Sequence, residues 1–326
     1  MKDQSTGKRV MKSVWESIVN DYIMVFAVLF LIIVLSFMSD TFLSVTNILN
    51  VLRQMSMVAI LAVGMFFVMV GGGIDISVGS LVGLTSIVTA AALTNWNLHP
   101  AVAILLALAV GAFCGLINGL LVAKVGVPAL IGTLGMMEIA RGLLYVFTEG
   151  YPIGIKNTEI SFIGKGYLWS IPWPVVFMVI IYCIGHFVSQ KTKFGRYVYA
   201  VGGNNEASYL SGIKISKIQM VTYIISGLTA GISGVILASR MGSGQPNAAV
   251  GWEFEAVTAA LIGGVSIIGG KGKVFGVLLG AILIALLTNG MTLLDVSSYW
   301  QRVIKGAVLV GAIVLDVYRT KRQNSV

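Results

Sequence analysis

Charge is scarce in this chain. Only 11% of its 326 residues are Asp, Glu, Lys or Arg, where an ordinary soluble domain has about a quarter. Hydrophobic residues make up 57% and mean hydropathy is +0.91, which excludes a soluble globular protein and indicates a polytopic membrane protein. Cysteine and histidine number two each. Cys114 and Cys183 lie inside separate apolar runs, and His99 and His186 stand alone, so the spacing supports neither a disulfide framework nor a metal site. No GxSxG, HExxH or paired-carboxylate arrangement is present, which argues against a membrane enzyme. The GGKGK run from Gly269 to Lys273 fails as a phosphate loop, because Val265 stands where GxxxxGK needs its first glycine and Lys271 is followed by Gly272. Nucleotide energy, if used, must be captured by another subunit.

Basic residues exceed acidic ones by 22 to 13. They cluster at the ends of apolar runs, so they report topology and give no support to a nucleic-acid partner. A bilayer core takes about 20 apolar residues per helix, and that ruler predicts ten spans, near 22–39, 55–72, 77–94, 101–123, 127–147, 172–189, 219–238, 254–269, 273–290 and 302–318. With residues 1–21 as a cytoplasmic lead, 15 of the 22 basic residues fall on the cytoplasmic side. This bias predicts both termini inside, in a single transmembrane domain. Trp96, Trp169, Trp173, Trp252 and Trp300 then all fall at the outer interface, beside turn-rich loops from Glu149 to Trp173 and from Gly242 to Trp252. Small residues at four-residue spacing, Gly111 with Gly115, Gly227 with Gly231 and Gly276 with Gly280, predict close helix packing.

Three stretches stand out. The run GGGIDISVGS sets Gly71, Gly72, Gly73, Asp75, Ser77 and Gly79 between two apolar spans. Flexible backbone with a carboxylate must be buried in protein, line a cavity or sit at the membrane face. The span count puts it at the cytoplasmic side, as a hinge or packing break with Asp75 capping a helix or meeting the coupling machinery. A weak echo of it recurs in GGVSIIGGKGKVFGVLLG, leaving open a duplication. Glu138 and Arg141, three apart in the fifth span, are expected to pair on one helix face. The third stretch is the loop Gln190–Gln219, whose middle carries a compact helix signal. Asn204 or Asn205 serves as N-cap, Glu206 lies in the first turn, and Gly212 closes the C-terminus. Two turns carrying Ala207, Tyr209, Leu210 and Ile213 are too short to persist alone in water. They suit either a groove on another protein or anionic headgroups of the membrane lipid.

GGGIDISVGS, the loop FGRYVYAVGGNNEASYLSGI and the late GGVSIIGGKGKVFGVLLGA together resemble the permease subunits of ribose, xylose and galactose importers of the ATP-binding-cassette class. The resemblance covers about Phe42 to Tyr318. It implies an all-α bundle of about ten transmembrane helices, like the larger type II importers, in a bacterial inner membrane. It also implies a second permease copy, a soluble sugar-binding protein outside, and cytoplasmic ATPase subunits that hold ATP and Mg, with no cofactor on this chain. On this basis the coupling helix maps to Gly203, Asn204, Asn205, Glu206, Ala207, Ser208, Tyr209, Leu210, Ser211, Gly212 and Ile213. A neutral sugar needs a polar lining without a counter-charge, for which Ser77, Ser80, Thr85, Asn118 and Thr133 are candidates, with Glu138 and Arg141 nearby. The alternatives are a permease of the same class for another small solute, such as a nucleoside, an autoinducer or a branched-chain amino acid, and, less favoured, an ion-coupled transporter that works alone. The last would more naturally show several acidic groups at mid-membrane depth.

Overall fold

The computed structural model describes residues 24–156 and 159–324. The lead 1–21 lies outside them. Thirteen helices, numbered in chain order, make up most of the described chain. They are α1 (Met24–Met38), α2 (Val45–Val70), α3 (Val78–Thr94), α4 (Pro100–Leu120, prolonged by a π-helical turn Leu121–Val125), α5 (Ala129–Thr148), α6 (Ser161–Lys165) and α7 (Trp173–Lys191). After them come α8 (Lys193–Gly203), α9 (Asn205–Leu210), α10 (Ile215–Met241), α11 (Trp252–Ile262), α12 (Val274–Leu293) and α13 (Ser298–Asn324). The protein is an all-α, multi-pass membrane bundle. Every stretch expected to span the membrane carries a helix. Among the described residues, however, six are long and apolar enough to cross alone: α2, α4 with its π turn, α5, α7, α10 and α12. Helices α1 and α3 are shorter apolar elements.

Two boundaries differ instructively from expectation. Helix α2 starts at Val45 instead of near residue 55, because the Ser44 side chain accepts from the Asn47 N–H and caps a polar first turn that hydropathy alone passes over. The expected span 254–269 is a helix of only 11 residues, α11. It stops at the Gly263 and Gly264 pair, where Gly264 takes φ +84°, a left-handed conformation that favours glycine.

Helix α10 is the axis, packed by α2, α3 and α4. Its contact with α4 is made backbone to backbone. A side-chain carbon on Gly111 would strike the Gly227 carbonyl, one on Gly227 would strike the Gly111 carbonyl, and one on Gly115 would strike the Tyr223 carbonyl. The α12 pair Gly276 and Gly280 approaches Gly263 and Ala259 of α11 in the same way. Lipid tails offer no hydrophobic gain for helix association, so this close approach and its dispersion contacts hold the bundle together. On the end where α10 finishes, β1 (Ile153–Gly154) pairs antiparallel with β4 (Ser243–Gly244) and ties the two turn-rich loops together. A second hairpin pairs β2 (Tyr167–Leu168) with β3 (Ile171–Pro172).

Candidate functional site

The run GGGIDISVGS forms the connection between α2 and α3, and Asp75 within it is fully buried. Its Oδ1 accepts from the Ser77 N–H at 3.1 Å, the Ser77 hydroxyl at 2.6 Å and the Asn118 amide on α4 at 3.3 Å. Its Oδ2 accepts from the Ser226 hydroxyl on α10 at 2.8 Å. Neighbouring backbone is held as well. Thr133 on α5 accepts from the Ile76 N–H at 3.2 Å, and the Tyr223 hydroxyl donates to the Ile74 carbonyl at 3.3 Å. Three helices, α4, α5 and α10, thus converge on this loop. Buried polar groups require partners of this kind, and within this network the Asn118 Oδ1 alone is buried without one.

This corrects the surface reading of Asp75. A carboxylate with no accessible surface meets no partner protein. Its bond to the Ser77 N–H, two residues on, is a local Asx-type turn that starts α3, while Ser77, at the N-cap position, makes no capping bond through its own side chain. Sequence reasoning missed Ser226 and Tyr223, because their bonds to Asp75 and to the Ile74 carbonyl span about 150 residues of chain.

Beside this network lies a junction of glycines from three separate segments. Gly270 N–H donates to the Val70 carbonyl at 2.8 Å. A side-chain carbon on Gly202, near the end of α8, would collide with that same carbonyl and lie 2.7 Å from Gly270 N. One on Gly269 would lie 2.9 Å from Gly72 Cα. Gly72 and Gly270 take φ of +81° and +70°. The two glycine-rich stretches that echo each other in the sequence are therefore in direct contact. The Tyr199 hydroxyl on α8 donates to the Gly272 carbonyl at 2.8 Å and adds a polar clamp; burial raises its phenol above the ordinary value, although the Gln190 hydrogen bond opposes this.

Helix α9 continues from this junction. Asn204 caps it, accepting from the Ala207 N–H at 2.9 Å, Glu206 lies in the first turn, and Gly212 follows with φ +78°. Ser208 is its buried residue, whereas Tyr209 and Leu210 are 72% and 79% exposed. The expected loop thus holds two helices. Helix α8 escaped the sequence reading because its three glycines mask an apolar face of Phe194, Val198 and Val201. That face becomes legible only where Phe194 meets Phe67, with ring centroids 6.2 Å apart.

The expected pair of Glu138 and Arg141 does not form. Arg141 Nη1 donates to the Pro246 and Ala248 carbonyls at 3.2 and 3.1 Å, and Glu138 is exposed. The reason is direction: Arg141 points into the bundle, where the turn before α11 leaves carbonyls needing donors, while Glu138 points away. Ser80, Thr85, Asn118 and Thr133, proposed for a polar lining, are all 1% exposed or less. They satisfy helix packing; Thr85, for example, donates to the Leu81 carbonyl at 2.7 Å.

A model of the branched-chain amino acid transport system / permease component family matches residues 47–313. The chain belongs to this family. The permease is 42% identical over 296 residues to ribose import permease protein RbsC of Haemophilus influenzae, covering 90% of this chain and 91% of that one. It is 40% identical over 315 residues to the protein of the same name from Escherichia coli K12, covering 95% and 97%. An L-arabinose ABC transporter permease protein, AraH of Azospirillum brasilense, is 34% identical over 322 residues, covering 97% and 93%. No solved structure matches the permease.

Proposed function

We propose that the permease is the membrane subunit of an ATP-driven, binding-protein-dependent importer of a monosaccharide, in a bacterial inner membrane with both termini in the cytoplasm. One observation carries this: the relatives that align along nearly the whole chain are named for import of ribose and L-arabinose. The description of the matching family favours a second reading, a permease for branched-chain amino acids. An uptake assay separates the two. Vesicles holding the permease with its ATPase and binding protein accumulate labelled D-ribose on addition of ATP and Mg, and L-leucine does not compete. Uptake driven by an imposed ion gradient without ATPase or ATP would overturn the importer reading, and accumulation of leucine in place of ribose would favour the second.

In this reading α9 is the coupling helix. Exposed Tyr209 and Leu210 beside a polar first turn suit a groove on the ATPase, and the glycine junction ties α8, and through it α9, to the α2–α3 connection. Closure of two ATPases around ATP and Mg moves α9 of each of two permease copies and reopens the bundle on the other side. The linked outer loops receive the loaded binding protein, about ten spans cross per copy, and the whole chain acts as one domain. Asn204→Ala removes the cap of a helix too short to form alone, a loss of about 1 kcal/mol. The expected outcome is weaker co-purification of the ATPase and uncoupled uptake with unchanged membrane insertion, and Glu206 or Gly212 substitutions act in the same direction. Wild-type assembly and uptake in all three variants would remove α9 from this role.

A further inference from the structure

Helices α11 and α13 carry acidic and basic side chains that face each other at a cavity of about 480 Å³. Glu253, Phe254, Glu255, Thr258, Lys305 and Gly306 line it. Lys305 Nζ lies 2.6 Å from Glu255 Oε1, with both side chains partly exposed. Glu253 is 6% exposed. Its Oε1 accepts from the Gly251 N–H at 3.2 Å, while its Oε2 is buried with no hydrogen-bond partner and abuts Gly79 of the GGGIDISVGS run. Lys305 stands seven residues into α13, about 10 Å along the helix. Ionisable groups at such a depth face a partner or a water-filled path and mark solute routes more often than they serve packing.

A second, smaller cavity of about 110 Å³ opens between α2 and α12. It shares Glu255 and Ile284 with the first and continues the polar lining with Asn50, Gln54, Thr288 and Asn289. We infer that these two cavities, joined at Glu255, are the station at which the permease itself holds the sugar. This rests on the reading of the chain as a monosaccharide permease. The larger volume lies within the range of about 300–1,000 Å³ typical of small-molecule sites. A carboxylate and an ammonium side by side accept from and donate to neighbouring hydroxyls, and the half-exposed Phe254 ring offers an apolar face to sugar C–H groups. The charge balance narrows the class further. Glu253 and Glu255 offset Arg302 and Lys305 on the lining, so no net positive charge remains for an anionic headgroup.

Gly306 provides the test, because it lies on the cavity wall and a Cβ built there meets nothing within 4 Å. In vesicles with ATPase and binding protein, Gly306→Trp is expected to lower D-ribose uptake by about tenfold or more in a complex that still assembles. Gly306→Cys, in a chain carrying Cys114→Ala and Cys183→Ala, is expected to react with a charged thiosulfonate. Ribose-loaded binding protein plus ATP slows this reaction; the empty binding protein plus ATP does not. Unchanged ribose uptake by an assembled Gly306→Trp complex overturns the station, as does a Gly306→Cys chain that does not react or reacts at a rate indifferent to ribose. Should Gly306→Trp fail to assemble, the cysteine variant alone decides. Failure of the wild-type complex to take up D-ribose, D-xylose or L-arabinose instead overturns the monosaccharide reading, so the two failures are distinct.

Discussion

Gly202→Val is expected to prevent the permease from reaching its folded state, even though no side chain stands in the way. The obstacle is backbone. The added Cβ would occupy the position of the Val70 carbonyl and lie 2.7 Å from Gly270 N, breaking the 2.8 Å bond by which Gly270 closes the end of α2. Side chains relieve overpacking by changing rotamer, at about 1–3 kcal/mol. Three main-chain segments cannot do so, and the expected loss is about 4 kcal/mol or more, in the range reserved for a named structural failure. The neighbouring residue supplies the control. A side chain on Gly203 would lie 4.0 Å from Gly270 Cα, so Gly203→Ala is expected to leave stability within about 1 kcal/mol of the parent. Size-exclusion profiles and thermal melting in detergent compare the two. A wild-type melt for Gly202→Val would mean the three segments do not meet as described.

The second large effect is at Asp75. Asp75→Ala strands the Ser77 and Ser226 hydroxyls, donors at 2.6 and 2.8 Å to a carboxylate with no accessible surface, while the Asn118 amide keeps its 2.9 Å bond to the Ser77 hydroxyl. Each buried group left unmade costs about 1–3 kcal/mol, so the expected loss is about 3–5 kcal/mol, comparable to breaking a buried polar pair. Asp75→Asn behaves differently. One oxygen still accepts from Ser77 and Asn118, and the new amide donates to the Ser226 hydroxyl, which reorients to accept. The expected loss is about 1 kcal/mol, with ATP-driven uptake retained. Melting curves of both variants beside uptake in vesicles check this. An Asn variant that melts like wild type but takes up no solute would assign Asp75 a role in the transport cycle beyond holding α4 and α10 to the loop.

These two residues also mark how far sequence reasoning reached. The glycine-rich breaks at Gly71–Gly73 and Gly269–Gly270 were visible as places where spans end, because three or two adjacent glycines do not continue an apolar helix. That they touch each other, and Gly202, was not visible, since adjacency between segments some 70 and 130 residues apart has no local signature. The α9 cap was legible, since Asn204, Glu206 and Gly212 each act on backbone within a few residues. The Glu138–Arg141 pair was read from spacing and does not form, because spacing places two residues on one helix without setting which side chain turns inward. The polar candidates Ser80, Thr85, Asn118 and Thr133 were read from residue type. They are buried in helix contacts, where the Thr85 and Thr133 hydroxyls bond back to their own helix and the Asn118 amide reaches Asp75 and Ser77.

The sequence by itself determined that this chain is a multi-pass all-α membrane protein, roughly where its apolar helices lie, and which short motifs ally it with sugar permeases. Hydropathy, caps and motifs are properties of contiguous residues, and the bilayer leaves few alternatives for them to encode. Only the tertiary structure decided what fills the space between helices: the glycine junction, the partners of Asp75, and the joined cavities at Glu255. Those depend on which faces of distant helices meet. In a bundle packed backbone to backbone, that is settled by collective fit and by the need to satisfy every buried polar group, and no single stretch carries the answer.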